Sequence, residues 1–416
     1  MVARETALQR VQRTCTEAVE GSPDVTIDQE AVAAAAAALP AQQEVLAACQ
    51  YMRLPIRFDS LQAEVNALAL FHLLDFGSGF DSMLLAKTGR DARETVQFGL
   101  LGMLMGGGDS LESHHWLREF SAYQVFQFFN IDASEDEAVP GLPGVVLTRQ
   151  GPLGAFTTKL REAMAETGMV LDGSGHASLG AFILATLDAQ AAGGSPPSVA
   201  ALVEELAEAF PAFADTGLYR GHQVCFYRKA QLLAAQLHLR FRGSDDRFKF
   251  VDMADLSADS GNLLPAVFRR QGVVQLSEGL AVAVDAGTDL QGDERERALR
   301  AAAVVAARRV CDAARAGAAA EVGDGGTPMS GQAEEYGGTE GAPTPRINVD
   351  PVVQNVAYVY PAGEAPGSGT GSGRGHDRGA VGYDTHEGAL RRGGPAGPEE
   401  RVHLSGESQP EGYMKP

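Results

Sequence analysis

The sequence predicts a mainly α protein: a single large all-helical domain with a small hairpin at most, followed by a low-complexity tail. Three observations carry that prediction. Apolar residues recur at helical spacing in segment after segment between residues 4 and 314. Ser, Asp or Gly-Pro clusters punctuate these segments where helix caps and stops belong. Only residues 25–27 and 216–226 read as extended, and no repeat of fixed period is present.

Taken in order, Leu8, Val11, Cys15 and Val19 share one stripe of a helix over residues 4–20, stopped by Gly21-Ser22-Pro23. Val25-Thr26-Ile27 is a short extended piece, and Asp28 caps a helix from Gln29 to Leu39. Alanine dominates that helix, which gives it propensity but little to pack, so it is read as a thin covering helix. Residues 40–55 give a further helix ending near Met52. Residues 61–74, LQAEVNALALFHLL, are apolar nearly all round and predict a buried core helix. It runs into Asp75-Phe76-Gly77-Ser78-Gly79-Phe80, where glycine either ends the helix or lets backbone approach a ligand.

Helices follow over Thr95–Met105 and Leu111–Phe120. His114 and His115 are adjacent and diverge by about 100° on a helix, which makes them poor joint metal ligands. Ser121 opens a short aromatic helix, and residues 132–143 read as an acidic loop. Further helices cover residues 151–168, 178–192 and 199–210. Loose alternation over Thr216–Phe226 allows a hairpin. The last helices span Phe226–Phe241, Leu263–Arg270 with Pro265 in its first turn, Leu276–Val284 and Glu294–Ala314.

The reading divides the chain into a helical domain, residues 1–315, and a Gly/Pro-rich tail, residues 316–416. The last 96 residues hold 21 of the 49 Gly and 10 of the 20 Pro, a composition that cannot offset the entropy of ordering. A net charge of −20 argues against a surface that grips a long nucleic acid, but not against a small anion in a local cationic pocket. Four Cys, at 15, 49, 225 and 311, have no CxxC spacing and suit free thiols in a reducing compartment. No bilayer-spanning run or signal core is evident, so the reading is of a cytoplasmic monomer with no membrane partner. No Walker A loop, Rossmann fingerprint, HExxH or GxSxG occurs, so neither cofactor nor metal is expected.

Chemistry concentrates between Phe210 and Gly272. On a helix starting near Phe226, Arg228, Gln231, Ala235 and His238 share one face, with Lys229 on the next. Asp255 and Asp259 follow, shortly before Asn262-Leu263-Leu264-Pro265. Two cations, an amide and an apolar wall suit an aromatic base plus a phosphate. On spacing alone, the same two cations also fit a solvated helix face.

The stretch FPAFADTGLYRGHQVCFYRKAQLLAA resembles the signature F-P-x-(Y/F)-x-D-…-(Y/F)-x-G-x-x-V-x-F-(Y/L)-K-(R/K)-A-Q-(I/L)-L of the queuosine 5′-phosphate N-glycosylase/hydrolase family. LLPAVFRRQGVV is similar to its L-P-x-V-L-x-x-x-G-(V/I) segment, Arg300 in ALRAAAV falls on its E-I-R-A piece, and AEVNALALFHLLDFGSGF resembles its core helix ending in L-N-F. The likeness covers roughly residues 10–315. It implies a fold like that of helical DNA glycosylases and hydrolysis of queuosine 5′-phosphate to free queuine for reuse in tRNA. By that resemblance, Asp259 and Arg228 are the catalytic candidates, Asp259 as the acid/base and Arg228, which stands at a family Lys, holding or orienting the nucleotide. Lys229, Tyr227, Gln231 and Asn262 are assigned to substrate binding, with Phe76 and Phe80 against the base. The chain departs from the pattern at Gly261, where the family has Asp four residues before the Pro, and at Gln236, where it has Asp. Asp75 replaces Asn, and the family's C-terminal L-W and P-x-H-R pieces are absent. The alternatives are a homologue that binds without turnover and a helical scaffold without a ligand.

Overall fold

A computed structural model of the chain describes residues 4–39, 56–106, 111–142, 144–290 and 292–324. It is mainly α. In order, the helices and strands are α1 Ala7–Glu20, β1 Val25–Ile27, α2 Gln29–Ala37, α3 Leu61–Leu73, α4 Asp81–Thr88, α5 Ala92–Gly106, α6 His114–Arg118 and α7 Ala122–Phe129. They continue with β2 Ser134–Ala138, β3 Val146–Gln150, α8 Gly154–Ser174, α9 Leu179–Ala192, α10 Val199–Ala209, β4 Thr216–Tyr219 and β5 His222–Cys225. The remainder are α11 Arg228–Phe241, α12 Leu263–Arg270, β6 Val274–Leu276, α13 Glu278–Asp285 and α14 Glu294–Asp324. The helix expected over 40–55 lies outside the described residues, as does the tail from 325 on.

The strands form three two-stranded antiparallel pairs among the described residues, rather than a single hairpin. β4–β5 is the hairpin that the alternation suggested. β1 pairs with β6, Val25 opposite Leu276 and Ile27 opposite Val274, so an extended scrap near the start is closed by one near the end. The stretch read as an acidic loop is β2, paired in register with β3 from Ser134–Gln150 to Ala138–Val146. The acidic side chains hid it because both strands are exposed throughout and show no apolar alternation.

α3 is buried along most of its length, as its composition required, with Val65, Leu68, Leu70, Phe71 and Leu73 almost fully covered. α9 crosses its first turns closely. The buried Asn66 side chain accepts from Gly180 N at 3.1 Å and donates to the Leu111 carbonyl at 2.9 Å, tying three segments together. A β-carbon at position 180 would overlap the Gln62 carbonyl and the Asn66 backbone. Gly180→Ala is therefore expected to cost about 1–3 kcal/mol of stability, measured as a lower urea midpoint. An unchanged midpoint would mean that the two helices can separate freely.

α14 extends ten residues past the expected end and is lined inward by Ala298, Ala301, Ala302, Ala303, Ala306 and Ala307. These small side chains let α1, α2 and α12 pack against it. α2 buries only Val32 among its own residues, in keeping with a thin cover. Among the described residues, no single helix is long and apolar enough to cross a membrane.

Candidate active site

The site begins with Asp215, at the end of the FPAFAD run. Phe210 and Phe213 are fully buried and anchor the loop. The Asp215 carbonyl accepts from Phe226 N at 2.9 Å and Tyr227 N at 3.2 Å, and its Oδ2 accepts from Arg228 N at 3.3 Å. A carboxylate from outside the helix thus caps the start of α11, satisfying amides that have no intrahelical partner. Tyr227 adopts the left-handed conformation at φ 48°. Its hydroxyl accepts from Arg10 Nη1 at 3.1 Å, which holds the strained residue in place.

The loop before α12 is fastened to the same helix. Gln231, buried on α11, donates from Nε2 to the Phe226 carbonyl and to Ser257 Oγ, and accepts from Ser257 N, at 2.7, 2.8 and 2.8 Å. Two residues on, Asp259 meets Arg228: Nε to Oδ1 at 2.5 Å and Nη2 to Oδ2 at 3.2 Å. Arg300 of α14 closes the arrangement. It donates to Asp215 Oδ2 at 2.5 Å and to the Ser260 carbonyl at 3.0 Å, with its guanidinium 3.9 Å from the Phe226 ring centre.

The end of α3 forms the other wall. Arg228 Nη1 donates to the Asp75 carbonyl at 3.1 Å, and Lys229 Nζ donates to the Leu73 carbonyl at 3.0 Å. Both cations therefore sit at the negative end of a helix. Arg228 Nη2 also lies 3.3 Å from Asp75 Oδ2, and Arg93 Nη1 of α5 lies 3.2 Å from that same oxygen. Asp75 is buried and Arg228 only 18% exposed, whereas the Asp259 side chain keeps 34% of its surface.

Burial pushes the Asp259 carboxyl up, but the Arg228 charge, its hydrogen bonds and the Gly261 amide outweigh this and hold it below the usual carboxylate range. Burial also draws the Lys229 ammonium down to about 8. Below these groups, His72 Nε2 lies 2.8 Å from Gln236 Oε1, so Nε2 carries the proton, and the buried Nδ1 has no hydrogen-bond partner among the described residues. Burial lowers the His72 pKa from 6.5 to about 4. Between those two values the unfolded chain binds the extra proton and the folded one does not, so stability falls as pH drops from 6.5 to 4. The loss from this group is roughly 3 kcal/mol, complete below pH 4. Chemical denaturation across that window should show the slope, and His72→Leu should flatten it; an equal slope in the variant would assign the effect elsewhere.

The structure brings Arg228, Lys229, Asp259 and Phe76 together. Phe76 is half-buried, with Lys229 Nζ 5.3 Å from its ring centre. Phe80 is also half-buried, its ring 5.5 Å from Phe156. Tyr227 and Gln231 turn into the protein, where they build the site. Asn262 is exposed just before α12, and Asp255 is exposed in the short turn Met253–Asp255. Gly77 has φ 99°, and a β-carbon there would overlap the Phe156 ring, so this glycine serves the helix stop and close packing. Gly261 lies where a β-carbon would come 3.2 Å from Asp259 Oδ1 and 3.3 Å from Arg228 Nε. The carboxylate of Asp259 thus reaches the space next to position 261. Arg93 escaped the sequence reading entirely, since no motif marks it. Asp215 had a signal, the acidic residue of the FPAFAD run, but its capping role did not show.

A cavity of about 570 Å³ opens elsewhere, between α7, the β2–β3 hairpin and α8, with Tyr123, Phe126, Arg149 and Arg161 on its walls. None of the residues around Asp259 lines it. Its arginines are exposed, whereas the Asp259 cluster holds partly desolvated opposite charges, the condition under which electrostatics can act on a reaction.

Comparison with known proteins finds similarity over the segment that holds most of this cluster. Residues 157–325 match the family described as queuosine salvage protein. A stretch of 93 residues is 40% identical to the queuosine 5′-phosphate N-glycosylase/hydrolase of Sphaerobacter thermophilus, covering 22% of this chain and 28% of that protein. The matched family segment contains Asp215, Arg228, Lys229, Asp259 and Arg300, while Asp75 and Arg93 precede it. Over residues 157–325, this chain is thus similar to the queuosine salvage protein family.

Proposed function

We propose that the protein hydrolyses the N-glycosidic bond of queuosine 5′-phosphate, giving queuine and ribose 5-phosphate. The observation that carries this reading is the Asp259 carboxylate, ionised and held by Arg228 at the meeting point of α3, α11 and the loop before α12. Breaking the C1′–N bond sends its electron pair to the base and leaves positive charge on the ribose. A fixed carboxylate beside that carbon stabilises the charge and accepts a proton from the water that attacks C1′. The departing base takes up a proton. Phe76, half-exposed beside Lys229, offers an aromatic face for the base, while Arg300 and Asp215 fix the loop that carries Asp259.

Incubation with queuosine 5′-phosphate, followed by chromatography and mass spectrometry, tests the reading through the release of queuine and ribose 5-phosphate. Intact substrate after prolonged incubation rejects it. A second reading, binding without turnover, is favoured by one feature: Arg228 engages both oxygens of Asp259, which weakens the carboxylate as a base. Calorimetry that shows binding of the monophosphate with no product would select this second reading.

A further inference from the structure

A guanidinium grips two oxygens at once through its side-on edge, Nε–H together with Nη2–H. Arg228 has that edge committed to Asp259 and its Nη1 to the Asp75 carbonyl. Arg300 has Nε and Nη2 on Ser260 and Asp215. Lys229 is turned onto the Leu73 carbonyl. The cations that the signature contributes are therefore occupied in holding the site together.

Arg93 differs. It is tethered through Nη1 alone, 3.3 and 3.2 Å from the two Asp75 oxygens, and its guanidinium lies 5.0 Å from the Phe71 ring centre. Its Nε and Nη2 have no protein partner among the described residues, and the side chain is 55% exposed. Since Asp75 Oδ2 contacts both Arg93 and Arg228, this open fork stands one carboxylate away from the guanidinium that holds Asp259. Asp91 and Glu94 flank it but are engaged with each other's backbone amides, at 2.7 and 3.3 Å. A charge fixed at one end, backed by a ring and open along its bidentate edge, is prepared for an anion carried by a ligand in the site.

We propose that Arg93 binds the 5′-phosphate of the substrate through Nε and Nη2. This rests on the reading of the site as one for a nucleoside 5′-monophosphate, and it makes Arg93 the residue that distinguishes the phosphorylated substrate from the free nucleoside. Steady-state kinetics on queuosine 5′-phosphate and on queuosine test it. Arg93→Ala should lower the ratio of kcat/KM for the monophosphate over that for the nucleoside by about 10- to 100-fold, mainly through KM. Arg93→Lys should recover part of the loss, since it restores the charge without the fork. An unchanged ratio overturns the proposal. Should the wild-type protein cleave neither compound, the glycosidase reading falls, and Arg93 is then judged by calorimetry with ribose 5-phosphate. Binding by the wild type that weakens at least about tenfold in Arg93→Ala upholds the assignment. Equal binding by both proteins, or none by the wild type, overturns it.

Discussion

Replacing Asp259 by Asn is expected to lower kcat for queuosine 5′-phosphate by about 10²–10⁴-fold while leaving the fold in place. The substitution keeps the size and planarity of the side chain. Its amide oxygen can still accept from Arg228 or from the Gly261 amide, which now lies 2.9 Å from Oδ1. What disappears is the negative charge, and with it both the stabilisation of a cationic ribose and the acceptor for the proton of the attacking water. Because the Asp259 side chain is a third exposed and Arg228 retains Asp75, the melting temperature should move far less than the rate. Turnover equal to wild type would remove Asp259 from the chemistry, however well the rest of the site survived.

The second large effect is expected at Arg228. Arg228→Met keeps much of the side-chain volume but takes the Arg228 guanidinium from the buried Asp75, which keeps Arg93, and from both oxygens of Asp259. Removing one partner of a buried ion pair typically costs about 3–5 kcal/mol, and the partial exposure of Asp259 places the expected loss near the lower end. The end of α3 also loses the donor to the Asp75 carbonyl. Urea denaturation should therefore show a clear fall in stability, and the remaining folded protein should be nearly inactive, since Asp259 is no longer held in place. The double variant Arg228→Met/Asp259→Asn should be more stable than the sum of the single losses implies, because the negative charge that Arg228 offset is gone with it. Strict additivity would show that the two residues do not act as a unit.

Much of the fold is legible in the sequence. The stripe Leu8–Val11–Cys15–Val19, the all-apolar run of α3 and the caps at Asp28 and Ser198 are local patterns, and each helix appeared where its pattern placed it. The β2–β3 hairpin was not legible because neither strand buries a face, so no alternation was written into it. α14 runs past the end that the sequence predicts because an alanine-rich helix has no local stop until its context supplies one. In the site, FYRKAQ pointed to Arg228, Lys229 and Gln231. The sequence could not distinguish their tasks: Gln231 staples a loop, while Lys229 and Arg228 end α3.

The sequence by itself determined that the chain is helical, that residues 210–272 hold its densest mixture of cations, carboxylates and aromatic rings, and that they resemble queuosine salvage proteins. Helical periodicity, capping and signature spacing operate over a few residues, so they are written into the order of the chain. The tertiary structure alone decided which charges meet. Asp75 and Arg228 are 153 positions apart, and Asp215 and Arg300 are 85 apart. Such pairs form only when packed helices bring their ends together and exclude enough water for the charges to act on one another. That is also why Arg93, unremarkable within its own helix, becomes the open cation beside the Arg228–Asp259 pair.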